Sequence, residues 1–232
     1  MLHGTGGTAL LAIEETRLAE FADRAGFAVA FAEGLAVNPE LPAKFLSNPQ
    51  RWNDGSTRAG HPLHTDNDDV GFLAAVVADA TVRAGADPER VFLTGFSNGA
   101  SMAFRFAAER AELIRAVAPI AGYNWIGDPR PTRPVPTLFL IGDADPLIPL
   151  HGGAVQLPWF PQPVVRPGIE PGLQAWRRGL GGAAATHFKM EVIPGLGHHW
   201  PGGKGLLNPR IGGTPSDAVD ANERIWEFFR AS

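Results

Sequence analysis

The sequence predicts an α/β protein built on a mostly parallel sheet with helices on both faces. Three observations carry that expectation. Strand-like apolar runs alternate with helix-period segments along the chain. The runs Arg90–Gly95, Ile114–Ala121 and Thr137–Ile141 are nearly continuous in apolar residues, the pattern of strands buried on both faces. The length of 232 residues suits one sizeable core, so a single domain over 1–232 is expected.

The elements follow in order. Leu11, Leu18, Phe21, Ala22 and Ala25 recur at helical spacing and predict one helix over 11–25, followed by a strand at Phe27–Phe31. Residues 33–65 hold four prolines and Asn53-Asp54-Gly55 and read as a long loop. Asp66 to Asp69 offer caps and first-turn acids for a helix whose Val70, Leu73, Ala74 and Val77 share a face and which stops near Gly85. The run ending at Gly95 turns through Phe96-Ser97-Asn98-Gly99 into a helix over 100–110. Residues 146–170 are Pro-rich and read as irregular, 171–180 as a helix and His187–Ile193 as a strand. Ser216 is the expected cap of a last helix carrying Val219, Ile225, Trp226 and Phe229.

Composition narrows the function. Twenty Lys and Arg against 24 Asp and Glu, with no basic run, exclude a binder of the phosphate backbone, so nucleic acid is not an expected partner. The absence of cysteine removes disulfide, zinc-thiolate and cysteine-nucleophile readings together. No apolar run approaches the roughly 18 residues of a membrane span. Met1-Leu2-His3 runs at once into Gly4-Thr5-Gly6-Gly7, without the charged start and apolar stretch of a secretory signal, so no targeting segment is expected.

Gly95-Phe96-Ser97-Asn98-Gly99 matches G-x-S-x-G between a predicted strand and helix, the context in which small flanking residues let the chain turn sharply and expose a nucleophilic Ser97 Oγ. A serine hydroxyl needs a base to take its proton and a carboxylate to orient that base. The loop Gly142-Asp143-Ala144-Asp145-Pro146 offers Asp145 or Asp143 as the acid, and Gly197-His198-His199-Trp200 offers His198 or His199 as the base. The negative charge that builds on the carbonyl oxygen calls for main-chain donors: Asn98 N–H, directly after the nucleophile, and Thr5 N–H in the early Gly-rich loop. That loop completes no phosphate-cradling motif. His61-Pro62-Leu63-His64 beside Asp66, Asp68 and Asp69 has a metal-like composition, but Pro62 prevents helical ligand spacing and capping accounts for the acids, so neither metal nor cofactor is expected.

These blocks, taken together, resemble the bacterial polyhydroxybutyrate depolymerase and feruloyl esterase group of α/β-hydrolases. The resemblance rests on His3–Gly7, Arg51-Trp52-Asn53-Asp54-Gly55, Asp68–Leu73, Asp87–Gly99, Gly142–Pro146, Gly195–Gly203 and Ile225–Phe229, in the family's order. It implies an α/β-hydrolase fold, a triad of Ser97, Asp145 and His198, an oxyanion loop at Thr5, and an ester substrate, either a short hydroxyalkanoate polyester or a feruloyl-type ester. It also implies that Trp52 sits near the acyl cleft, where the competing role is a packing anchor. Trp125, Trp159 and Trp200 lie in loops suited to lining an aromatic cleft or to covering the core, and Trp200 is taken with Trp52 as substrate-binding. Relatives carry strands before the His-Gly motif, often disulfides, and secretory leaders that place them outside the cytoplasm. With only two residues before His3, the N-terminal strand is expected to be short and to leave a sheet edge through which a homodimer could form. The alternatives are a non-catalytic binding module on the same scaffold and a lipase- or peptidase-like hydrolase.

Overall fold

Leu2 holds the centre of a parallel arrangement, bridged to Ala32 on one side and to Gly95 on the other. The computed structural model describes residues 1–56, 65–181 and 187–232. Beyond Gly95 the sheet continues in the order β1 (Phe92–Phe96), β2 (Ala116–Ile120), β3 (Thr137–Gly142) and β6 (Phe188–Ile193), all parallel. Because Leu2 is paired on both sides, the open edge expected at the N-terminal segment does not lie there. Pro119, which has no N–H to give, sits inside β2, and the register with β3 is carried by Val117–Thr137 and Ile120–Leu140 on either side of it.

Period-two alternation explains how both faces are covered. Val117, Phe139 and Ile141 point into one cluster with Met102, Phe104 and Phe106 of α4 (Asn98–Glu109), Val70 and Leu73 of α3 (Asp69–Ala84), and Trp176 of α5 (Glu170–Leu180). Ala116, Ala118, Ile120, Leu138 and Leu140 point the other way, onto Ala12 of α1 (Ala9–Thr16), Leu18 of α2 (Leu18–Ala25), and Ile225 and Phe229 of α7 (Ala221–Ala231). Each fully buried Val, Leu, Ile, Phe or Met side chain among these contributes about 1.5–3 kcal/mol of transfer free energy. No helix among the described residues is long and apolar enough to cross a membrane.

Four local expectations change. The helix foreseen over 11–25 is two, broken at Arg17, whose φ of 54° is left-handed. The break is fixed by Thr16: its hydroxyl accepts from Leu18 N at 3.2 Å, and its carbonyl accepts from Asn222 Nδ2 of α7 at 2.8 Å. The run Phe27–Phe31 forms no extended strand. It lies against the segment 1–3, with Met1 N donating to Ala30 O at 2.8 Å and, just beyond the run, Ala32 N donating to Met1 O at 3.2 Å. Within 146–170 lies an antiparallel hairpin, β4 (Gly153–Val155) with β5 (Val164–Arg166). The last helix is capped by Asp220, whose Oδ1 accepts from Asn222 N at 2.8 Å, while Ser216 Oγ instead takes Ala218 N in a turn before it. The short helix α6 (Pro209–Gly212) precedes it.

Gly99 lets the N-terminal segment lie across the start of α4. A Cβ there would run into the Leu2 and His3 carbonyls, closer than real Cβ atoms approach. Gly99→Ala is therefore expected to cost about 1–3 kcal/mol, roughly 2–12 °C in Tm at this chain length, checked by thermal melting.

Candidate active site

Ser97 closes β1 and opens α4 with φ 57° and ψ −120°, one of three non-glycine residues with positive φ among those described. Such a conformation costs about 1–3 kcal/mol and persists only where its surroundings impose it. Here Ser97 N donates to Ile120 O at 2.9 Å, and Ser97 O accepts from Ala100 N at 3.0 Å and Ser101 N at 3.1 Å. Gly95 is required because a Cβ there would strike the Gly99 carbonyl. The turn leaves Ser97 Oγ without a hydrogen bond among the described residues, at the positive end of α4.

The loops after β3 and β6 carry the candidate acid and the candidate base. Asp145 is buried, with Oδ1 accepting from Leu147 N and Ile148 N, both at 2.8 Å, and Oδ2 standing 2.7 Å from His198 Nδ1. A carboxylate can only accept, so Nδ1 carries the proton and Nε2 holds the lone pair. Phe96 packs on the imidazole with ring centroids 4.7 Å apart. The competitors are occupied elsewhere: Asp143 is exposed and accepts from Gly195 N at 2.7 Å, and His199 Nε2 lies 3.0 Å from Gly213 O.

Ser97 and His198 line one cavity of about 500 Å³, together with Thr5, Asn98, Trp125 and Trp159. Among the described residues no acceptor meets the main-chain N–H of Thr5 or of Asn98. The loop carrying Thr5 is anchored by His3. Gly34 N donates to His3 Nε2 at 2.9 Å, so the ring proton is on Nδ1, which donates to Gly4 O at 2.8 Å. Burial holds this imidazole below the ordinary histidine range, and the Gly4 carbonyl and Glu33 offset that only in part.

Because the unfolded chain takes up a proton at His3 near about pH 6.5 and the folded chain only at lower pH, His3 stabilises the fold fully above that value. The contribution is lost as pH falls below it. Tm is expected to drop between about pH 7.5 and about pH 5, and to drop less in His3→Gln; equal slopes in scanning calorimetry would place the dependence elsewhere.

Trp52 differs from its expected role. It is fully buried behind the cleft, where its Nε1 donates to His3 O at 2.9 Å and its ring lies 5.1 Å from that of His3. An indole without accessible surface is a packing anchor, so contact with substrate is not available to it. Trp200 borders the cavity but is also almost wholly buried, with Nε1 donating to Asn222 Oδ1 at 3.2 Å. Trp125 and Trp159 are the half-buried tryptophans of the cavity, and Trp159 Nε1 donates to Phe45 O at 2.6 Å with the two rings 5.5 Å apart, tying the 36–50 loop to the hairpin segment. His61 and His64 lie outside the described residues.

A strained serine at the strand-to-helix turn after β1 and a carboxylate-bound histidine after β6, on a parallel sheet covered by helices on both faces, make the class an α/β-hydrolase fold. Solved structures share this fold: esterase PE8, at TM-score 0.57 and 19% identity over 99% of this chain and 89% of that one, and acetyl xylan esterase from Aspergillus awamori, at 0.54 and 15% over 100% and 87%. The family model described as Esterase PHB depolymerase matches residues 1–127, and the chain belongs to that family of ester hydrolases. Among curated relatives, "Putative esterase NocK" of Nocardia uniformis is 31% identical over 99% of this chain and 72% of its own length. "Feruloyl esterase C" of Emericella nidulans is 31% identical over 73% of this chain and 60% of its own length. The chain spans only 20% of "Feruloyl esterase B" from Piromyces equi.

Proposed function

We propose that the protein is a serine carboxylesterase working through Ser97, His198 and Asp145. The observation that carries this reading is the 2.7 Å His198–Asp145 contact within a site whose cavity Ser97 shares. Ser97 Oγ attacks the ester carbonyl carbon while His198 Nε2 takes its proton, and Asp145 stabilises the imidazolium through Nδ1–H. The carbonyl oxygen becomes an oxyanion held by Thr5 and Asn98 N–H. Collapse breaks the C–O bond to the alcohol, which leaves with the proton from His198. Water, deprotonated by the same nitrogen, then attacks the acyl-enzyme and restores Ser97.

The substrates proposed are short-chain hydroxyalkanoate oligomers or feruloyl-type esters. Support comes from the aromatic side chains of the cavity, Trp125, Trp159 and Phe45 among them, and from relatives named as feruloyl esterases. The test is a hydrolysis panel of p-nitrophenyl esters, methyl ferulate and hydroxybutyrate oligomers with wild type and Ser97→Ala. Ser97-dependent turnover is expected, and the preferred ester selects the substrate class. Turnover that survives in Ser97→Ala would remove the reading.

A further inference from the structure

The segment Trp52–Asp54 touches both loops that carry the oxyanion donors. Trp52 N donates to Asn98 Oδ1 at 2.7 Å, and Asn98 Nδ2 donates back to Trp52 O at 3.1 Å and to Asp54 Oδ2 at 2.8 Å. The amide orientation is fixed by this set, since Trp52 N–H can only donate and Asp54 can only accept. On the other side, Trp52 Nε1 holds His3 O, two residues before Thr5. Asp54 is itself buried and braced: its Oδ1 accepts from Ser56 Oγ at 2.5 Å and Ser56 N at 3.1 Å, and lies 3.6 Å from Arg51 Nη2. Asn53 N is tied to Asp69 Oδ2 at 2.6 Å, which fixes the segment to the start of α3.

Asn98 is the residue whose main-chain N–H is assigned to the oxyanion, and its side chain spends every hydrogen bond on this segment rather than on the cavity. We propose that Asp54 is a positioning residue for ester hydrolysis, holding the Asn98 amide so that Asn98 N–H points at the developing oxyanion. The inference rests on the esterase reading given above. It requires that removing the carboxylate affect the transition state, in which the oxyanion exists, more than the bound ester.

The experiment compares wild type, Asp54→Ala, Asp54→Asn, Asn98→Ala and the double variant Asp54→Ala/Asn98→Ala on p-nitrophenyl acetate, with Tm for each. It adds affinity for a trifluoromethyl ketone whose Ser97 adduct bears an oxyanion. Asp54→Ala is expected to lower kcat by about 10–100-fold, with KM within about twofold and ketone affinity weakened in proportion. Asp54→Asn, which keeps one acceptor oxygen for Asn98 Nδ2, falls between. Since Asp54 acts through Asn98, the double variant is expected to be no slower than the slower single variant. If Asp54→Ala does not fold, Asp54→Asn takes its place in the cycle. Wild-type kcat in the Asp54 variant, a loss confined to KM, or additive losses in the double variant would overturn the inference alone. Absence of Ser97-dependent turnover in wild type would overturn it together with the esterase reading.

Discussion

Ser97→Ala is expected to lower kcat on any accepted ester by about 10⁴–10⁶-fold, the range for removal of the nucleophile of a triad. The loss is not an unfolding effect. Alanine keeps the Cβ that Ser97 already carries at φ 57°, so the backbone strain is unchanged, and Ser97 Oγ makes no hydrogen bond among the described residues that the fold would miss. Tm should therefore stay within about 1–2 °C of wild type, a stability change of about 0.5 kcal/mol or less. Ser97→Gly provides the complementary measurement: glycine tolerates positive φ, so the same inactivity comes with a melting temperature set by relief of strain against loss of chain rigidity.

The second large effect separates the two aspartates of the loop after β3. In Asp145→Asn one face of the residue presents an NH2 group. If that group meets His198, it forces Nδ1 to accept, and the imidazole proton moves to Nε2, where it blocks attack by Ser97. If it meets the N–H groups of Leu147 and Ile148, two buried donors lose their acceptor. The first arrangement lowers kcat by about 10⁴-fold, and the second adds a fall in Tm. Asp143→Asn keeps an acceptor for Gly195 N at an exposed position, so kcat should stay within about twofold. Steady-state kinetics of the two variants decide the matter, and a large loss in Asp143→Asn with near wild-type kcat in Asp145→Asn would reverse the assignment of the acid.

What could be read from the sequence was what is written locally. Buried parallel strands announce themselves as unbroken apolar runs, and three of them, around Leu93, Val117 and Phe139, stand where the runs lie. The G-x-S-x-G spacing encodes the turn at Ser97 because both glycines face backbone that would collide with any Cβ. Features that depend on distant partners were not readable. Arg17 breaks a well-formed helical period because Asn222, 206 residues away from Thr16, takes that residue's carbonyl. The hairpin of β4 and β5 is hidden among prolines, since its cue is only the short apolar pairs around Val155 and Val164. The family resemblance puts Trp52 near the acyl cleft, yet its indole is spent on His3 O, 49 positions earlier. Asp54 drew no functional expectation because the amide it holds belongs to Asn98, 44 residues on. The Asp-Gly sequence around it reads as an ordinary turn.

The sheet order carries a consequence for how such an enzyme diversifies. Leu2 and Gly95 are bridged neighbours, so the loops bearing Thr5 and Asn98 leave adjacent strands. The separation of these loops at their roots is set by the spacing of strands in a parallel ladder, about 4.8 Å, which is common to all sheets. Much of the cavity wall has a different origin. Phe45 comes from the 36–50 excursion, and Leu157 and Trp159 from the stretch between β4 and β5, none of it part of the ladder. The reactive geometry is thus inherited from lattice-like regularity, whereas the recognition surface is upholstery on removable panels. Grafting either panel from a relative is expected to change which esters are accepted and to leave the ladder that spaces the two loops as it is.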